Sequence, residues 1–130
     1  MKLTTAEGYA LRAMVFLAKR CQEGNAFSLS EIAEQEQLPL SFLEQIFIGL
    51  KKAKLVKSVR GAHGGYTLAN QPKDINTLKV IEAVSGKSSM IDCNRDFCSA
   101  GNCAVAPFLT KLQLTIEKTL RDTTLADLTN

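Results

Sequence analysis

Three cysteines recur at one interval: Cys93, Cys98 and Cys103, with four residues between neighbours and eleven residues from first to last. Thiolates are soft, anionic donors, so thiols gathered in this way suit an iron–sulfur cluster or another metal. The paired C-x2-C spacing of a zinc ribbon is absent. Spacing alone leaves two chemistries open, metal ligation and thiol redox. Gly101 would help the chain curl so that three sulfurs converge on one centre. Disulfides are a weaker expectation. The N-terminus lacks the charged, apolar and small-residue order of a signal peptide, and no apolar run nears the ~18 residues of a membrane span. We therefore expect a cytoplasmic protein, whose thiols stay reduced. Cys21 stands alone behind a helix and is expected to be packing filler rather than a reactive thiol.

A thiol loop needs rigid elements on both sides. Upstream, Asn76 is placed to cap a helix, with Ile75 and Val80 as its hydrophobic staple. Leu78, Ile81 and Val84 would face inward, and Gly86 would end that helix. From Lys87 to Asn102 no regular structure is expected. Downstream, a longer helix starts near Pro107, with Val105 just ahead of it. Its stripe is Leu109, Leu112, Ile116 and Leu120, widened by Phe108 and Leu114. That is more apolar surface than a small core covers, which points to a dimer seam; packing against the first helix is the plainer alternative. Thr124-x-x-Asp127 should cap one last short turn. At the other end of the chain, Ala10, Leu11, Met14, Val15, Leu17 and Ala18 mark a helix over Thr5 to Arg20. Lys19 and Arg20 fall at its C-terminus, where positive charge suits the macrodipole.

Between these helices lies the most uneven charge in the sequence. Lys51, Lys52, Lys54, Lys57 and Arg60 put five bases in ten residues, and residues 45–73 hold six bases and no acid, in a chain of net charge only +3. Clustered positive charge on a small unit is the footprint of a phosphate-backbone partner. A solvated helix end is the bland alternative, but the local pattern argues against it. Ser28 and Glu31 form a capping-box signature, with Phe27 and Ile32 as a staple. After a break at Gln37-Leu38, Pro39 is expected as the first residue of a second helix. Leu43, Ile46, Phe47 and Leu50 recur on its inner face, leaving Ser41, Glu44, Gln45, Ile48 and Lys52 nearer the outer one. The alternating run Leu55 to Arg60, the turn Gly61-Ala62-His63-Gly64-Gly65 and Tyr66-Thr67-Leu68 read as a hairpin. Two short helices and a basic hairpin describe a winged helix-turn-helix that grips double-stranded DNA.

At 130 residues and 45% hydrophobic content the chain forms one domain, or one domain plus a docking helix. A chain of this size buries roughly two-thirds of its unfolded surface and needs no disulfide. Enzymatic chemistry is not expected. His63 is the single histidine, and no nucleophile–base pair or phosphate-binding glycine loop is visible.

Several stretches resemble the Rrf-type transcriptional regulators: Leu43-Glu44-Gln45-Ile46, Leu55-Val56-Lys57-Ser58-Val59-Arg60-Gly61 and Gly64-Gly65-Tyr66. Met1-Lys2-Leu3-Thr4, Tyr9 to Met14 and Thr123 to Leu128 are similar as well, so the resemblance spans nearly the whole chain. A homodimer is expected from the apolar C-terminal helix and because two-fold pairing sets two recognition helices about 34 Å apart; the cluster-binding members of the family carry three cysteines at the place of this chain's loop. That favours an iron–sulfur cluster on Cys93, Cys98 and Cys103, of 2Fe-2S or 4Fe-4S type. Two departures leave the fourth ligand open. Both cysteine gaps are shorter than in IscR-like members, and Ala106 stands where those members have a histidine. NsrR-like members take a carboxylate from the first helix of the partner. Gly8 holds that place here, with Glu7 beside it and Asp92 and Asp96 as local alternatives. Glu7 is preferred, against the plain alternative of a carboxylate at a helix N-terminus.

The expected fold is therefore mainly α with a small β-hairpin wing: a winged helix-turn-helix over 1–86, a cysteine loop over 87–104, and a dimerisation helix with its tail over 105–130. On DNA, Ser41, Phe42, Glu44 and Gln45 would face bases, Lys51, Lys52 and Lys57 would hold phosphates, and Arg60 would enter the minor groove beside Ser58 and His63. The expected function is a repressor whose operator affinity follows cluster state. The rivals are a cluster-free thiol switch, or a regulator acting through a partner protein, and, more remotely, a small iron–sulfur enzyme or electron carrier.

Overall fold

Helix boundaries in this chain are set by side chains that bond to their own backbone. The computed structural model describes residues 3–20, 24–87 and 103–129. Helix α1 (Thr5–Arg20) starts where the Thr4 N–H donates to the Glu7 carboxylate at 2.9 Å. Helix α2 (Leu29–Glu36) is capped by the Ser28 hydroxyl, which accepts from the Glu31 N–H at 3.1 Å. Only that forward half of the expected box forms there. Both halves form at Thr124 and Asp127, which cap α6 (Leu125–Leu128). Asn76 accepts from the Lys79 N–H at 2.9 Å and opens α4 (Thr77–Ser85), and Gly86 closes it.

Helix α3 (Leu40–Lys52) begins one residue later than the sequence suggests. Pro39 has φ −63° but an extended ψ of 127°, so it is the cap rather than the first helical residue. Its carbonyl still receives the first helical bond, from the Leu43 N–H at 3.2 Å. The turn before it comes from Gln37 in the left-handed region, φ 55°, where the helix-ending backbone bonds return to Ala33. Strands β1 (Val56–Val59) and β2 (Gly65–Leu68) pair antiparallel, Val56 opposite Leu68 and Val59 opposite Gly65. A 3-10 turn at Pro72–Asp74 leads into α4, and α5 (Ala106–Asp122) is the long C-terminal helix. Helix pair and hairpin together make a winged helix-turn-helix, as expected.

Helix α1 runs through the centre, against α2, α3, α4, α6 and β2. Its Ala10, Ala13, Met14, Phe16 and Leu17 meet Ile32, Leu43, Phe47, Leu50, Ile75, Val80 and Leu125 in one buried cluster. The small Ala10 and Ala13 let neighbouring backbones come close, while Phe16 and Phe47 fill the volume. The staple residues Ile75 and Val80 are both fully buried. On α4 the inward face is Thr77, Val80 and Ile81, with Leu78 and Val84 only half-buried.

The C-terminal helix is held at one end. The Thr77 hydroxyl donates to the Leu120 carbonyl at 2.6 Å. The Thr77 N–H donates to Thr123 and the Leu125 N–H to Ile75, both at 2.9 Å. None of the residues of α5 is buried. Leu109, Ile116 and Leu120 are half-covered, whereas Val105, Phe108, Leu112 and Leu114 are exposed. No helix among the described residues is long and apolar enough to cross a membrane.

Candidate nucleic-acid interface

Burial on α3 divides the helix as its period requires. Leu43, Ile46, Phe47 and Leu50 are in the core, and Ser41, Glu44, Gln45, Ile48, Lys51 and Lys52 are exposed. Side chains at 41, 44, 45, 48 and 52 stand over one another along the outer surface. Phe42 is also partly open, but its ring meets Tyr9 edge-on at 5.6 Å. That contact ties the start of α3 to α1, so Phe42 braces the helix as well as facing outward. Two lysines in its last turn complement the C-terminal end of the helix dipole.

The wing is cationic as well. Lys57, Ser58 and Arg60 are exposed on β1 and just past it, and His63 is exposed at the tip. The ion pair of the described residues is Arg12 with Glu36, 3.3 Å apart and joining α1 to the end of α2. Among those residues no carboxylate neutralises Lys51, Lys52, Lys57 or Arg60. Uncompensated, exposed cations suit a phosphate backbone, whose condensed counterions they would displace.

What keeps the wing in place is a contact the sequence did not reveal. Phe27, just ahead of α2, pairs with Tyr66 through two backbone bonds: Phe27 N–H to Tyr66 at 3.0 Å and Tyr66 N–H to Phe27 at 2.7 Å. The Tyr66 ring packs on Phe47 of α3, centroids 4.9 Å apart. Wing, helix pair and α1 are thus one body. Gly65 permits it: φ is +152°, and a Cβ there would stand 2.3 Å from the Phe27 carbonyl. A second close approach joins α3 to α4, where a Cβ on Gly49 would lie 2.5 Å from the Ala83 carbonyl oxygen.

Of the thiols, Cys103 is free and half-buried at the head of α5, its carbonyl accepting from the Ala106 N–H at 3.3 Å. Cys93, Cys98 and Cys21 lie outside the described residues, as do Asp92 and Asp96. Glu7 is only 4% exposed, and the Thr4 N–H and hydroxyl both donate to its Oε2. Burial by itself would push its pKa up. Hydrogen bonds from the Thr4 hydroxyl, the Glu7 and Thr4 N–H groups and Ser85 outweigh that and hold it below the ordinary value. The carboxylate thus closes the first turn of α1 onto Thr4.

The Rrf2 family model, described as an iron-dependent transcriptional regulator, matches residues 3–130. The IscR regulator of Yersinia pseudotuberculosis is 37% identical over 132 residues, taking in 100% of this chain and 80% of that protein. The structure of CymR, the global cysteine regulator of B. subtilis, superposes with a TM-score of 0.87 at 33% identity, over 99% of this chain and 96% of that one. IscR of T. potens does so with a TM-score of 0.80 at 35% identity, over 98% and 85%. With its two-helix unit, basic wing and long final helix, the chain belongs to the Rrf2 family of DNA-binding transcriptional regulators.

Proposed function

We propose that this protein is a cytoplasmic homodimeric repressor whose grip on a DNA operator depends on an iron–sulfur cluster held by Cys93, Cys98 and Cys103. The observation that carries the reading is the place of Cys103. It heads α5, a rod of 17 residues, or roughly 25 Å. The far end of that rod is bonded to the start of α4 through Thr77 and Ile75. A cluster bound at Cys103 would reach the DNA-binding unit through that one helix.

Residues 1–86 form the DNA-binding unit, 87–104 the cysteine loop and 105–130 the dimerisation helix with its tail. The bare apolar face of α5 supports pairing with a second copy, which would place two α3 helices about 34 Å apart on successive major grooves. Ser41, Phe42, Glu44 and Gln45 face bases, Lys51, Lys52 and Lys57 hold phosphates, and Arg60 reaches the minor groove with Ser58 and His63 beside it. Glu44 accepts from cytosine N4 where one is in reach, while its charge repels phosphates.

The donor set suits the group: three thiolates within eleven residues are the ligands iron–sulfur clusters use. Such a cluster supplies a centre that oxidants and nitric oxide attack. Glu7, kept ionised by Thr4 and Ser85, is the proposed fourth donor, of 2Fe-2S or 4Fe-4S alike. The likeness to the cysteine regulator CymR favours a second reading, a cluster-free thiol switch or a regulator acting through a partner protein.

Anaerobic purification followed by iron and sulfide counts separates the two. A coloured protein that loses iron in Cys93→Ala, Cys98→Ala or Cys103→Ala supports the cluster. A colourless protein after reconstitution supports the thiol switch. Operator affinity measured before and after cluster removal by nitric oxide or chelator should differ at least about tenfold, a coupling of ~1.4 kcal/mol. Equal affinities would end the proposed control.

A further inference from the structure

The outer face of α3 contains one residue that neither packing nor phosphate contact explains. Ile48 is 64% exposed, more than any other large apolar side chain among the described residues. It shares its face with Ser41, Glu44, Gln45 and Lys52, at +3 from Gln45 and +4 from Glu44. A branched aliphatic group in the middle of a polar, cationic helix face offers one apolar contact point, and covering it with an apolar group removes that surface from water.

The surroundings narrow what that cover is. Lys51 and Lys52, one turn along the same helix, and Lys57 and Arg60 of the adjoining wing are all exposed, with no carboxylate partner among the described residues. Charge complementarity therefore selects a polyanion that also displays an apolar group. In the major groove of duplex DNA the one such group is the C5 methyl of thymine. Ile48 is three residues beyond Gln45, about 4.5 Å farther along the helix axis. That distance spans about one to one and a half base-pair steps of ~3.4 Å.

We propose that Ile48 is a specificity-determining residue that packs against a thymine methyl, one or two base pairs from the base read by Gln45. The assignment rests on the DNA-binding surface proposed above and adds a sequence preference to it. No hydrogen bond is made. The selectivity comes from apolar contact, so it depends on the methyl group and not on the Watson–Crick edge.

The test uses the full chain, reconstituted anaerobically. Bound fragments are selected from a random duplex pool, and each thymine of the selected site is then replaced singly by deoxyuridine, which removes only the methyl. Affinities are measured by fluorescence anisotropy for the wild type and for Ile48→Ser, whose exposed position leaves the core intact. At one thymine in each half-site the wild type should lose about fourfold, the worth of one buried carbon. Ile48→Ser should be indifferent to the same replacement. If no replacement weakens the wild type, or if Ile48→Ser loses as much, the proposal is overturned while sequence-specific binding stands. If selection yields no preferred sequence, the DNA-reading surface itself is refuted along with it.

Discussion

Replacing Gly65 by alanine should do far more harm than the same change at Gly61, on the other side of the wing turn. The added Cβ would lie 2.3 Å from both the carbonyl carbon and oxygen of Phe27 and 2.6 Å from the Ser28 nitrogen. These are backbone atoms and cannot swing aside as a side chain would. Relief requires β2 to move off residue 27, breaking both Phe27–Tyr66 bonds and disturbing the serine that caps α2. An L-residue at φ +152° adds backbone strain of about 1–3 kcal/mol. Two exchanged hydrogen bonds add about 1 kcal/mol each. Together these come to roughly 3–5 kcal/mol, against a total stability of about 5–15 kcal/mol for a domain. Gly61→Ala is the internal control. It also has positive φ, +121°, but nothing within 4 Å of its added Cβ, so it carries strain without collision. Urea unfolding should place the Gly65→Ala midpoint well below that of Gly61→Ala with similar slopes. Equal midpoints would refute the idea that backbone contact at Phe27 holds the wing.

Gly49→Ala should cost about 1–3 kcal/mol by calorimetry, because the Ala83 carbonyl oxygen stands 2.5 Å from the new methyl and α3 must shift away from α4. Arg60→Ala should weaken operator binding by about 1–3 kcal/mol, and Lys52→Ala should lower the slope of log affinity against log salt by about 1. An unchanged slope would take Lys52 off the phosphates. Glu7 gives a pH signature. Its folded-state pKa lies below the ordinary 4.5, so the unfolded chain takes up the proton first as pH drops. The stability it contributes is present above 4.5 and is lost as pH falls through the folded value. Glu7→Gln should cost about 1–3 kcal/mol at neutral pH and flatten the acid limb of an unfolding-versus-pH curve. A parallel curve would show that the carboxylate charge is not what Thr4 and Ser85 stabilise.

Much of this molecule is written in interactions that reach no farther than one helical turn. Ser28, Asn76 and Thr124 each cap the residue three positions on, and Gly86 ends its helix by its own backbone freedom. The helical period separates Leu43, Ile46, Phe47 and Leu50 from the outer face of α3, and alternation with a glycine-rich turn marks the hairpin. Such signals survive without knowledge of any neighbour, so the elements and the charged surface could be read from residue order. The one-residue error at Pro39 has the same local origin, since a proline's fixed φ suits both the cap and the first helical position.

Other features exist only because distant segments meet. Phe27 and Tyr66, 39 positions apart, become partners only when the wing folds against the turn before α2. The need for glycine at 65 and 49 comes from backbones that sequence distance keeps out of view. The clamp from Thr77 to Leu120 spans 43 residues and fixes one end of α5 to the start of α4. The solvent exposure of Ile48 and the uncovered face of α5 are likewise settled by what the core leaves unburied. Sequence alone determined which helices, caps and charges this chain carries, because those depend on near neighbours. Tertiary structure decided which surfaces remain open and how the wing and final helix are fixed, because burial is shared among segments far apart in the chain.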